Sequence, residues 1–216
     1  MTSTEEHIYT VSTTCCGLLW TTSYLLILRR ARLDKAHGMP LAPLCVNISY
    51  EFIFGVLHPD KPPLNIVNII WLLIDLWIGA QYLRYARAEF PAAFPRWLFH
   101  PMAFASLAIA FTAVLTLTYD LQDWQGNYTG WGDQMLISLS FIVMLGRRAS
   151  VRGQSMYIAL SRCLGTLTLI PAQYVLTPGG RFVTFVYVAY FLIDITYMLL
   201  LARQCRLEGI NPWKRL

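Results

Sequence analysis

Charge is what this chain has least of. Only 13% of its 216 residues are Asp, Glu, Lys or Arg, against about 25% in a soluble domain. The apolar residues, 56% of the total, come in long runs. A soluble globular fold is excluded, and an all-α, polytopic membrane protein is expected. Several chemical signatures are missing too. No span carries a D-D-x-x-D pattern for a metal-bound diphosphate, and no H-E-x-x-H pair is present. There is no G-x-S-x-G elbow either. These absences disfavour chemistry that begins by ionising a diphosphate, and leave chemistry that begins with a proton. The last apolar run has no lysine for a retinal Schiff base. The four histidines, at 7, 37, 58 and 100, lie near span ends, so neither a metal nor another cofactor is expected. The five cysteines have no metal-ligand spacing and read as small buried hydrophobes. No basic leader precedes the first span, which is read as an uncleaved anchor. With no repeat, low-complexity tract or lipidation signal, residues 1–216 are expected to form one domain.

Seven spans are read, at 8–28, 42–57, 65–84, 99–119, 132–146, 155–175 and 182–202. Crossing the hydrocarbon takes about 20 residues. The second and fifth are short for that, so they bend, sit in a thinner bilayer or extend beyond these limits. Arg29, Arg30, Arg32 and Lys35 follow span one; Arg84, Arg87 and Arg96 follow span three. Arg147, Arg148 and Arg152 follow span five; Arg203, Arg206, Lys214 and Arg215 follow span seven. Fourteen of the 17 basic residues thus share one side, which the positive-inside rule makes cytoplasmic. The C-terminus is then cytoplasmic. The N-terminus and the loops near 60, 125 and 179 are lumenal or exterior. This bias accounts for the net charge of +5 without a nucleic-acid partner; the lipid bilayer is the partner expected. Asn127-Tyr-Thr129 is a glycosylation sequon on the lumenal side. Asn47-Ile-Ser49 lies inside span two, out of reach.

Four ionisable residues are expected at membrane depth: Glu51, Asp75, Arg162 and Asp194. Such residues are expensive there and usually face the bundle interior. Asn47, Phe54, Gly55 and His58 share the Glu51 face at helical spacing. Trp71, Ile78, Gly79 and Tyr82 surround Asp75. Tyr187, Tyr190, Phe191, Tyr197 and Met198 surround Asp194. A carboxylic acid kept neutral by burial is a proton donor, and aromatic faces stabilise cations. The same aromatic stripes also fit plain helix packing. Asp75 and Arg162 are either an interhelical ion pair or part of a site.

The whole chain resembles the small seven-helix fungal terpene cyclases of meroterpenoid and indole-diterpene pathways, the paxilline B cyclase family. The resemblance rests on Asn47-Ile-Ser-Tyr-Glu51-Phe, Trp71-x3-Asp75, Arg152-Gly-Gln-Ser155, Arg162-x2-Gly165-Thr166, Asp194 and Asn211-Pro-Trp-Lys-Arg. It implies protonation of a terminal epoxide, or an olefin, on a prenylated aromatic or polyketide, followed by carbocation ring closure without metal. It implies that Glu51 and Asp194 are the two essential acids. Asn47, Tyr50, Trp71, Asp75, Arg162, Tyr187, Tyr190 and Phe191 are the candidates for the substrate pocket. Tyr50 stands where the family usually has Trp. The resemblance also implies an endoplasmic-reticulum membrane and a pathway prenyltransferase and epoxidase as functional partners. The rival reading is a seven-helix receptor or a proton-coupled transporter, which would use the carboxylates as a relay.

Overall fold

Each apolar run becomes a helix, in order. The computed structural model describes residues 1–176 and 180–216, and no strand occurs among them. The helices are α1 (Ser3–Asp34), α2 (Leu41–Phe52), α3 (Leu64–Tyr85), α4 (Phe99–Asp120), α5 (Asn127–Arg148), α6 (Met156–Leu176) and α7 (Arg181–Leu207). A π-helical turn, Ile53–Leu57, prolongs α2. The loop expected near 179 falls on 177–179, outside the described residues.

Local sequence explains the helix starts. At α1, the Thr2 hydroxyl accepts from the Glu5 amide, and the Glu5 carboxylate accepts from the Thr2 amide at 2.7 Å. This reciprocal box satisfies donors that a helix start leaves unpaired. At α5, one carboxylate does the same work. Asp123 accepts from the amides of Asn127, Tyr128 and Thr129 at 2.8–2.9 Å, and from the Thr129 hydroxyl at 2.9 Å. Negative charge at a helix N-terminus also complements its dipole. This cap draws five residues, 127–131, into the helix that the sequence reading left in a loop. The fifth span therefore extends to 22 residues.

The bundle is apolar outside, and its ionisable residues at membrane depth lie inside. Leu73, Ile109, Val188, Leu192 and Leu199 all lie more than half exposed. Glu51, Asp75, Arg162 and Asp194 are fully buried. A soluble protein rarely exposes so much contiguous apolar surface, whereas a lipid-facing bundle must. Four segments are long and apolar enough to cross a membrane: Ser3–Asp34, Leu64–Glu89, Arg96–Asp120 and Arg181–Leu207. The apolar helix Leu41–Leu57 is shorter. Helices α5 and α6 fall outside this group because they carry inward polar residues such as Asp133, Gln134 and Arg162.

The most extensive helix pairing is α1 with α6. Gly165 makes it possible, since a Cβ there would lie 2.6 Å from the Trp20 ring. Helix α2 packs against α3, α4 and α5, and α7 against α5 and α6. At the arginine-rich end, Asp34 holds Arg30, Arg215 and the Gly153 amide. This ties α1 to the loop before α6 and to the C-terminal segment.

Candidate active site

A cavity of about 230 Å³ opens between α1, α2, α3, α5 and α6. Its mouth is formed by Pro59, Asp60 and Lys61 from one loop and Trp124 and Gln125 from another. Its interior is aromatic: Trp20, Tyr24, Tyr50, Trp71 and Trp131 all line it. Trp20, Tyr24 and Trp71 form a triangle with ring centroids 5.5–6.4 Å apart. The Trp20 indole donates to the Thr166 hydroxyl at 3.1 Å, and the Trp71 indole donates to the Thr21 hydroxyl at 3.0 Å. Buried indole N–H groups need such partners, and here the partners fix the rings in place.

A first polar cluster adjoins the cavity. Asn47 is its hub. Its amide nitrogen donates to Asp75 at 2.6 Å, to Glu51 at 3.2 Å and to the Tyr24 hydroxyl. Tyr24 in turn donates to Glu51 Oε1 at 3.2 Å. Among the described residues, Glu51 Oε2 and Asp75 Oδ1 have no hydrogen-bond partner. Asn47 and Tyr24 line the cavity, so the two acids communicate with it through these neighbours. Asp133 of α5 reaches the cavity directly. It is 3% exposed, its Oδ1 is unpartnered, and it interacts electrostatically with Glu51 and Asp75.

A second cluster joins α5, α6 and α7. The Arg162 guanidinium donates to Asp194 at 2.7 Å, with both side chains out of solvent. The same guanidinium lies 4.4 Å from the Phe141 ring centroid and 5.4 Å from that of Tyr197. Cation–π attraction is strongest when the cation is desolvated like this. The Tyr190 hydroxyl donates to the Arg162 carbonyl at 3.3 Å, and Tyr197 donates to Gln154 at 3.0 Å.

The sequence-derived candidates divide accordingly. Asn47, Tyr50 and Trp71 line the cavity, and Glu51 and Asp75 adjoin it. Tyr187 supports it from behind, with its ring 4.4 Å from that of Trp131. Three expectations need correction. The ion pair is Arg162–Asp194, not Arg162–Asp75, because α7 supplies the carboxylate nearest the guanidinium. Phe191 lies on the outer surface at 40% exposed. It lies about 60° around the helix from Asp194, on the side away from buried Val186, Tyr190 and Tyr197, and so faces out. Asn127 is 5% exposed and starts α5 against the Asp123 cap, so its side chain is packed against the bundle rather than offered to solvent.

The family model for Pyr4-like transmembrane terpene cyclases matches residues 3–206. The chain belongs to this family. One curated relative is the Pyr4-family terpene cyclase mfmH of Annulohypoxylon moriforme. It is 32% identical over 164 residues, covering 71% of this chain and 64% of that protein. Asnovolin H synthase nvfL of Aspergillus novofumigatus is 27% identical, covering 76% and 69%. Terpene cyclase pyr4 of Aspergillus fumigatus is 29% identical, covering 69% and 64%. Two of these three alignments span less than two thirds of the relative's length. No solved structure matches the chain. The cavity of this Pyr4-like chain is lined by polar residues that sequence reasoning missed, among them Tyr24, Asn68, Asp133, Gln134 and Gln173. Tyr24 is one of twelve tyrosines with nothing local to mark it. Asp133 was legible in principle as an acid one residue inside the fifth apolar run.

Proposed function

We propose that this chain is a multi-pass membrane terpene cyclase in which Glu51 protonates a terminal epoxide, or an olefin, of a prenylated aromatic or polyketide. The observation that carries this reading is the contrast in charge around Glu51. It is buried beside a second carboxyl and two neutral donors, with no cation in its cluster. Two such carboxyls cannot both be ionised in an apolar interior, so the pair holds a proton to give. Tyr24 and Asn47 stand between Glu51 and the cavity; once the epoxide displaces the Tyr24 hydroxyl from Glu51, the Glu51 O–H proton passes to the epoxide oxygen. The C–O bond opens as alkene π electrons form a new C–C bond, and positive charge moves along the chain. The indole and phenol faces of Trp20, Tyr24, Trp71 and Trp131 stabilise that charge.

Asp194 has a different part. Its partner is a guanidinium, so it serves as a carboxylate. It holds α6 against α7, one turn from Thr166, which fixes the Trp20 ring. Asp194 is thereby a positioning residue rather than a second donor. Asn47 orients Glu51, and Tyr50 and Trp71 shape the pocket. Residues 1–216 form one seven-helix domain in the endoplasmic-reticulum membrane. Its N-terminus is lumenal, and its arginine-rich loops and C-terminus are cytoplasmic. The cavity mouth then opens at the lumenal end. A prenyltransferase and an epoxidase supply the substrate. No metal takes part.

The test uses membranes containing the full chain, a panel of aryl prenyl epoxides of one to four isoprene units, and excess chelator. A cyclised product from the wild type, and none from Glu51→Gln at equal abundance, supports the reading. Full activity in Glu51→Gln, or loss of activity with chelator, sinks it.

A further inference from the structure

We propose that Gln134 is a specificity-determining residue whose amide N–H donates to a neutral oxygen, a carbonyl or a phenol, on the non-terpene part of the substrate. This rests on the cyclase reading and deepens it, by naming what holds the aromatic or polyketide end. Gln134 stands on α5, lines the cavity and is half-buried. Its Oε1 accepts from the Thr166 hydroxyl at 3.4 Å, and the Thr166 oxygen accepts from the Trp20 indole at 3.1 Å. This run of bonds links α5, α6 and α1 and fixes the carbonyl end of the amide. The Thr166 bond is the one hydrogen bond of the Gln134 side chain among the described residues. Its Nε2 is therefore free, and this nitrogen is not one of the enclosed unpartnered atoms. Polar groups inside a fold nearly always have a partner. A free donor that is held on a cavity wall and keeps accessible surface has a place for a ligand atom.

Position decides which substrate oxygen this is. Tyr24 and Asn47, which front Glu51, stand on α1 and α2, whereas Gln134 stands on α5. An epoxide opened at the Glu51 face leaves the Gln134 amide to a different oxygen. The prenyl chain carries no other, so that oxygen belongs to the ring system at its end. Chemistry decides its charge. Among the described lining residues Lys61 is the only basic one, and it sits at the mouth. A carboxylate in the interior would lack a counter-charge, whereas a carbonyl or phenol needs only the amide. An indole offers an N–H instead of an acceptor and leaves the Gln134 donor unpaired, which counts against it in a site built to hydrogen-bond.

The test uses prenyl epoxides that share one chain length and differ only in the head: a phenolic ketone, an unsubstituted phenyl and an indole. Gln134→Met keeps the side-chain length and removes the amide. For the phenolic ketone, kcat/KM should fall about three- to tenfold, the worth of one neutral hydrogen bond. The fall should appear in KM rather than kcat, as for a contact made equally in ground and transition states. For the phenyl and indole heads, kcat/KM should stay close to wild type. An equal loss for all three heads overturns the inference, because the amide then serves the epoxide or the Trp20 wall. No loss for the phenolic ketone overturns it too. If Gln134→Met fails to fold, Gln134→Asn, shorter by one C–C bond of about 1.5 Å, is judged by the same dependence on the head. Binding supplies a readout free of turnover. The phenolic ketone epoxide should raise the unfolding midpoint of Glu51→Gln, and adding Gln134→Met should shrink that rise for this head alone. No product from the wild type with any head sinks the cyclase reading itself, while the midpoint shifts still decide for or against Gln134.

Discussion

The two buried polar clusters are built on opposite principles. Around Glu51 and Asp75 every hydrogen bond comes from a neutral donor, Asn47 or Tyr24, and the cluster adjoins a cavity. Around Asp194 the donor is a guanidinium, enclosed by Phe141 and Tyr197 and away from that cavity. The first arrangement stores a proton beside open space. The second neutralises a charge and fills space. Acids that look equivalent in sequence thus differ in what their neighbours let them do.

The largest effect expected is on the second cluster. Arg162→Met leaves Asp194 buried without a counter-charge, which costs about 3–5 kcal/mol. Thermal unfolding in detergent should show it as a marked drop in midpoint. The double variant Arg162→Met/Asp194→Leu should recover most of that loss, since apolar replacement of a buried pair is often neutral. If the single variant is as stable as wild type, the ion pair is not a structural element.

Glu51→Gln should behave the other way. Its unfolding midpoint should stay close to wild type, while turnover falls by about 10²–10⁴-fold, the range for general acids. Comparable losses of stability in Glu51→Gln and Arg162→Met would erase the distinction between the clusters.

A smaller effect is expected from Tyr24→Phe. One hydrogen bond to Glu51 is lost, worth about 0.5–1.5 kcal/mol, and Asn47 can still hold the carboxyl. Turnover should fall by roughly tenfold or less, in line with that energy. Steady-state kinetics with the same epoxides measure it.

The last comparison concerns the cavity mouth. Burial pushes the Asp60 carboxyl up to about 8, and the hydrogen bond from Asn68 offsets only part of that. The folded state therefore binds this proton more tightly than the unfolded one, and Asp60 lowers stability progressively as pH rises from about 4 to about 8. Asp60→Asn should flatten the dependence of the unfolding midpoint on pH across that window. An unchanged slope would place the Asp60 carboxyl in ordinary solvent.

Much of this was legible in the chain and some was not. Helix order followed from the apolar runs, because lipid demands long, self-satisfied helices. The start of α5 did not, because its first turns are polar and gain their place only once Asp123 caps them. Depth within a span picked out Glu51, Asp75, Arg162 and Asp194 as buried. Partners between helices are not encoded locally, so Arg162 met Asp194 rather than Asp75. Helical angle explains the aromatic residues of α7. The buried face of α7 lies to one side of Asp194, where Tyr190, Tyr197 and Val186 stand about 40°, 60° and 80° around the axis, whereas Phe191 lies about 60° to the other side and faces out.

Tyr50 packs against the start of α5, where Gly126 and Gly130 leave room for its ring: a Cβ at Gly126 would lie 2.5 Å from the hydroxyl. The phenol donates to the Gly126 carbonyl at 3.2 Å, and the same ring lines the cavity. Tyr50 on α2, Gly130 on α5 and Gly126 just before α5 thus act as an adjustable end-stop. A bulkier ring at 50, or a methyl group at 130, shortens the space offered to the chain. A phenylalanine at 50 loosens it. None of these exchanges touches an acid, so product size and proton chemistry can evolve along separate axes.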